Sequence, residues 1–299
     1  MDVPKLVSRR SALAALAGLS VARAQSERFS YGFSLYGMKT VPVLEALGIV
    51  ASIGYKTTEL CLRRTWNTEP KLLTREDRRT IRRRIGDLGL SLPAVMESLP
   101  LVGANVRRED NVERLRAAAE VAHETSPGSP ALIETTVGGR PAAWDKIKNQ
   151  MVDELGAWAR TMETLKTTLA IKAHVLSAMN LPDRIVWLHD QVNSPWIRMM
   201  YDYSHFALNG QDLRESMQKV ASRAAFVHVK DWKGVAADHR FLLPGDGLLD
   251  YSEYKRILAE VGYQGAVVVE VSVHVFDELG YDPVAAAKRC WENLSPVFA

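Results

Sequence analysis

The feature that most restricts what this chain can fold into is an alternation. Eight short apolar runs, at 31–36, 57–62, 91–96, 131–136, 168–173, 197–203, 225–230 and 266–271, alternate with amphipathic stretches at 41–52, 75–88, 110–123, 142–164, 182–191, 212–221, 251–261 and 283–293. Apolar runs of this length, some ending in acids, histidines and lysines, read as parallel strands buried on both faces. Repeated eight times, the alternation predicts an α/β chain whose sheet closes into a (β/α)8 barrel rather than an open doubly wound sheet. No glycine-rich dinucleotide turn follows the first run, which points the same way. Helix starts are marked by Thr74 with Asp77, by Asp250 with Glu253, and by Asp282 before Pro283. No linker rich in Pro, Gly or Ser divides the chain, so a single barrel is expected over 27–299.

The first 24 residues stand apart from that pattern. Ser8-Arg9-Arg10-Ser11 precedes an apolar run over 12–21, and Ala22-Arg23-Ala24 offers the small-x-small pattern of a signal-peptidase site. This resembles a twin-arginine export signal, read by the twin-arginine translocase, and places the mature protein in the periplasm or outside a bacterial cell. The run is shorter than the roughly 20 residues that span a bilayer, so no stable membrane anchor is expected. The segment holds four basic residues and one acid, and its removal takes away the whole formal net charge of +3. A neutral mature chain has no basic footprint for nucleic acid. Cys61 and Cys290 fall in a strand and a helix, where buried thiols are the default.

Inward-facing residues alternate along barrel strands, so parity decides which side chains meet. Asp202 shares a face with Met200 and Ser204, His228 with Lys230, and Glu270 with Ser272. If these faces point inward, two carboxylates and an imidazole converge at the carboxyl end of the barrel. Such a set suits a divalent cation, Mn²⁺, Mg²⁺, Co²⁺ or Zn²⁺; a salt-bridged polar plug is the alternative, and three such groups at matched strand ends favour function over it.

Four motifs carry a family resemblance: Asp202-Tyr-Ser-His205, Phe226-Val-His228-Val-Lys230-Asp231, Pro244-Gly-Asp-Gly247 with Asp250, and Val267-Val-Val-Glu270. They resemble consecutive motifs of the xylose isomerase-like TIM-barrel family, the sugar phosphate isomerase/epimerase group. The resemblance implies a TIM barrel with four metal ligands, Glu, Asp, His and Glu, on its fifth to eighth strands. It also implies a proton exchanged beside the carbonyl of a sugar. Asp202, His228 and Glu270 match three ligands, and His205, with His174 and Lys230, falls where substrate contacts are expected. At the first ligand position this chain has Lys172 instead of glutamate.

That substitution leaves three outcomes open. Lys172 could be neutral beside a metal and serve with Glu270 as the acid/base pair; it could sit as an ammonium where the metal would be; or it could swing away. Trp66, in the 63–71 loop, is a candidate for stacking on a sugar ring. For Glu59 and Glu134 the structural reading, outward into helix pairs, is preferred to sugar binding. The expected function is an exported sugar isomerase or epimerase acting on a sugar or modified sugar, with metal assistance left open by Lys172. A keto-sugar lyase or hydratase and a non-catalytic periplasmic sugar-binding protein are the alternatives; a DNA-repair endonuclease comes last.

Overall fold

Eight parallel strands close on themselves in a computed structural model that describes residues 29–126 and 128–299; the export signal expected at 1–24 lies outside these residues. The strands are β1 (Phe29–Ser34), β2 (Thr57–Cys61), β3 (Ser91–Ser98), β4 (Leu132–Thr136), β5 (Leu169–Lys172), β6 (Ile197–Asp202), β7 (Ala224–Val229) and β8 (Gly265–Val269). Each pairs with its sequence neighbour, and β1 with β8 closes the ring. Outside lie α1 (Val43–Ile53), α2 (Arg75–Asp87), α3 (Arg108–Thr125), α4 (Trp144–Leu165), α5 (Pro182–Val192), α6 (Leu213–Lys219), α7 (Tyr251–Glu260) and α8 (Pro283–Phe298). The expected (β/α)8 barrel is therefore the observed fold. Among the described residues, no helix is long and apolar enough to cross a membrane.

The strands are buried on both faces because each face meets a different core. Outward residues such as Leu60, Val95, Ile133, Ile171, Val227 and Val267 pack under the helices. Inside, Ala94, Ala170, Met200, Phe226, Ala266 and Val268 form a separate cluster that plugs the bore. Small residues on three strands make room for Phe226 and Met200 from others, which is how a narrow barrel interior fills. Gly32 is needed for β1 to approach β2, since a Cβ there would lie 2.6 Å from the Thr57 carbonyl oxygen. The expected helix starts hold: Thr74 and Asp77 form a full capping box, and Asp250 and Asp282 cap α7 and α8.

The 232–249 segment is more ordered than a loop. Asp231–Val235 and Asp238–Leu242 form an antiparallel hairpin over the carboxyl end of the barrel. Gly234, at φ +84°, takes a backbone shape that other residues adopt rarely. Asp231 explains the Pro244–Gly247 motif. Its Oδ2 accepts hydrogen bonds from the Gly245 and Gly247 amides at 2.7 and 3.2 Å, and a Cβ on Gly247 would come within 2.7 Å of its Cγ. The motif thus ties the loop to the end of β7.

Candidate active site

The strand parities bring the predicted groups together. Asp202 ends β6, His228 lies near the end of β7, and Glu270 directly follows β8; Asp202 is paired in register with His228, and Val268 with His228. Lys172 ends β5 and points into the same space, with its side chain only 3% exposed. Its Nζ lies 2.9 Å from His228 Nδ1 and 3.2 Å from Asp202 Oδ2, and it donates to Glu270 Oε2. Lys230 adds a second ammonium: it contacts Asp202 Oδ2, donates to Glu270 Oε2 at 2.6 Å, and has its Nζ 4.9 Å from the centre of the Phe241 ring on the hairpin. Lys172 has not swung away, so that outcome is closed.

Glu59 and Glu134 do not face the helices as expected; both point into the barrel. Glu59 accepts from Ser34 Oγ at 2.5 Å and lies 3.1 Å from His228 Nε2. Glu134 lies against the same group. Both acids are almost fully buried, and Glu59 Oε1 and Glu134 Oε2 have no hydrogen-bond partner. The signal that could have found them is the lack of room elsewhere. A charged residue inside a fully buried parallel strand has no place under an apolar helix, so it must face the bore.

Charge and burial set the protonation of the cluster. Burial opposes the charge on Lys172, but Glu270 and Asp202 outweigh it and hold the ammonium well above the ordinary lysine range. With no metal beside it, Lys172 is therefore held as the ammonium by these neighbours. Burial likewise opposes the charge on Glu270 and Asp202, yet the two lysines hold both carboxylates below their usual range. Glu134 is pushed up to about 8, by burial first and then by Glu59 and Glu270, and so carries a proton at neutral pH. His228 is raised to about 9 by Glu59 and Glu270, against burial and Lys172. With Nδ1 protonated the ring can donate to Glu270; without that proton Nδ1 accepts from Lys172. His205 accepts from the Val175 amide through Nδ1, which leaves Nε2–H to face Asp202 at 3.4 Å. Burial keeps His205 neutral and pushes His174 down to about 4.

The cluster opens into a cavity of about 300 Å³, lined in part by Lys172, His174, His205, Lys230 and Glu270. Tyr36, Arg63 and Glu134 also reach it. Trp66 does not line it: the indole stacks on Tyr36 with ring centres 5.2 Å apart and donates from Nε1 to the Tyr36 carbonyl. That aromatic pins its loop to the segment after β1 and to Phe276.

With this geometry in place, the comparison with known proteins is specific. Residues 47–290 match the family described as xylose isomerase-like TIM barrel. The chain belongs to that family. An inosose dehydratase of Geobacillus kaustophilus is 22% identical to this xylose isomerase-like barrel over 256 residues, 76% of this chain and 79% of that protein. The structure of a 3-keto-D-glucoside 4-epimerase from E. coli superposes with a TM-score of 0.70 at 16% identity, over 90% of this chain and 99% of that one. The IolI protein, described with a binding zinc atom, gives 0.71 at 17% identity over 90% and 99%. The two structures share the fold, and the relatives named here include enzymes that act on small sugar-like molecules.

Groups able to hold a divalent ion are present. Asp202, His205 and Glu270 offer ligand atoms within 4.8 Å of one another, as do Glu59, Glu134 and His228. The family's ligand position is a different matter. The centre of Asp202, His228 and Glu270 is where the Lys172 ammonium lies, and a dication about 4 Å from an ammonium is repelled by roughly 8 kcal/mol at an effective dielectric near 20. As the residues stand, an added ion does not fit between these three side chains.

Proposed function

We propose that this chain is an exported carbohydrate-active enzyme that removes a proton from the carbon beside a carbonyl of a sugar or keto-sugar. The observation that carries the reading is Glu270, a buried carboxylate kept ionised by two ammonium groups and placed on a sugar-sized cavity. A carbonyl oxygen entering that cavity accepts hydrogen bonds from Lys172 and Lys230, which steadies the enolate as charge develops. It also draws both donors away from Glu270 Oε2, so the carboxylate becomes a stronger base as the substrate becomes a stronger acid.

Two products branch from the same enolate. Return of the proton to the other face, or to the neighbouring carbon, gives an epimer or isomer. Loss of a hydroxyl from the next carbon gives a dehydrated product, and Glu134, neutral at pH 7, can supply the proton that turns that hydroxyl into water. The presence of this buried neutral acid favours elimination as a second reading, in line with the inosose dehydratase relative.

The test is incubation of the mature protein in D₂O with an inosose or a 3-ketoglucoside, followed by NMR. Deuterium at the carbon beside the carbonyl, ahead of product, supports the reading. Sugar binding with no exchange would reduce the chain to a binding protein. The Arg9-Arg10 pair, the apolar run and Ala22-Arg23-Ala24 support export through the twin-arginine translocase. Recovery of protein from the periplasm with a terminus following Ala24 is the expected result, and an intact Met1 in a cytoplasmic pool would reject it.

A further inference from the structure

We propose that the Lys172 ammonium is a built-in replacement for a divalent ion, so that this barrel works without bound metal and the single change Lys172→Glu turns it into a metal-binding one.

The geometry carries the first half. Lys172 Nζ lies at the centre of the three side chains, 3.2 Å from Asp202 Oδ2, 2.9 Å from His228 Nδ1 and donating to Glu270 Oε2. The lysine thus takes one contact from each of the three side chains that would otherwise hold an ion. Its own side chain is 3% exposed, so the ammonium fills the space between those groups.

Charge carries the second half. A glutamate at position 172 with a dication beside it has a net charge of +1, the same as one lysine. The exchange leaves the charge facing Asp202 and Glu270 unchanged, so the pocket keeps its electrostatic balance with no ion. Lys230 stays beside the site, so an ion taken up by Lys172→Glu has to displace its ammonium from Asp202 and Glu270. It reaches the cluster from the cavity side, beneath Phe241, and contacts Asp202 and Glu270 but not His228. The inference concerns only what fills the centre of the site, and it stands or falls separately from the reaction proposed above.

The experiment is metal stoichiometry. Purified wild-type protein is incubated with Mn²⁺, Co²⁺ or Zn²⁺, desalted, and assayed by elemental analysis, with Co²⁺ absorption and thermal unfolding as second readouts. The wild type is expected to keep no stoichiometric ion and to show no ion-dependent shift in Tm. Lys172→Glu is expected to take up one ion, to show ligand-field bands with Co²⁺, and to gain Tm on loading. One ion retained by the wild type through desalting overturns the proposal. So does a folded Lys172→Glu, checked by circular dichroism, that binds no more than the wild type. If that variant fails to fold, Lys172→Gln removes the positive charge without adding a carboxylate, and the same comparison decides.

Discussion

Two layers of side chains fill the bore of this barrel, and they differ in almost every chemical respect. On four strands they are the same strand read two residues on: Ala170 then Lys172, Met200 then Asp202, Phe226 then His228, Val268 then Glu270. The first layer is wholly apolar and closed. The second is a net of buried charges that opens into a cavity. Backbone geometry is common to both, so the difference shows that the apolar layer spaces the strands while the polar layer uses that spacing. Burying so many ionisable groups costs desolvation that their mutual pairing only partly offsets. The chemistry is therefore held in place by the stability of the layer beneath it.

Three measurements can break or sharpen that contrast. The largest effect is expected from Glu270→Gln, which removes the base but keeps the shape: proton exchange in D₂O should fall by roughly 10²–10⁴-fold. Undiminished exchange would mean that the base lies elsewhere. Next comes Phe226→Ala, one step down the bore, expected to cost about 3–5 kcal/mol in denaturant unfolding while leaving exchange per folded molecule near wild type. If exchange collapsed along with stability, the two layers could not be treated as separate. The smallest effect concerns Glu134. Its carboxyl is raised to about 8 by burial, Glu59 and Glu270, so its folded-state value lies above its unfolded one. Stability tied to its neutral form is then full below the ordinary glutamate range, near pH 4, and is lost as pH rises toward 8. Tm should fall across that window, and Glu134→Gln, neutral throughout, should flatten the fall. An equal slope in both proteins would show that Glu134 is not the neutral acid of the upper layer.

What could be read from the chain follows the same division. The eightfold alternation announced the barrel because strand and helix differ in hydrophobic period, and long repeats average out local error. Asp202, His228 and Glu270 were legible together because each sits at the end of an apolar run with a small or apolar residue two places earlier. Glu59 and Glu134 were misread outward because, unlike β6 to β8, their strands carry no motif, and strands buried on both faces show no alternation that reveals facing. The 231–242 hairpin was hidden for a related reason: its strands are short, partly exposed and broken by Gly234, so no period of two survives. Trp66 shows that a loop near the mouth does not make an aromatic available; its partner Tyr36 is 30 residues away in the chain. Nor could residue types alone show that the Lys172 side chain ends among all three neighbours at once.

Lys172 also bears on the conditions under which this protein can work. A positive centre that is covalently part of the polypeptide cannot be stripped by a chelator, displaced by a tighter-binding competitor, or filled with the wrong element. It arrives with translation, already loaded.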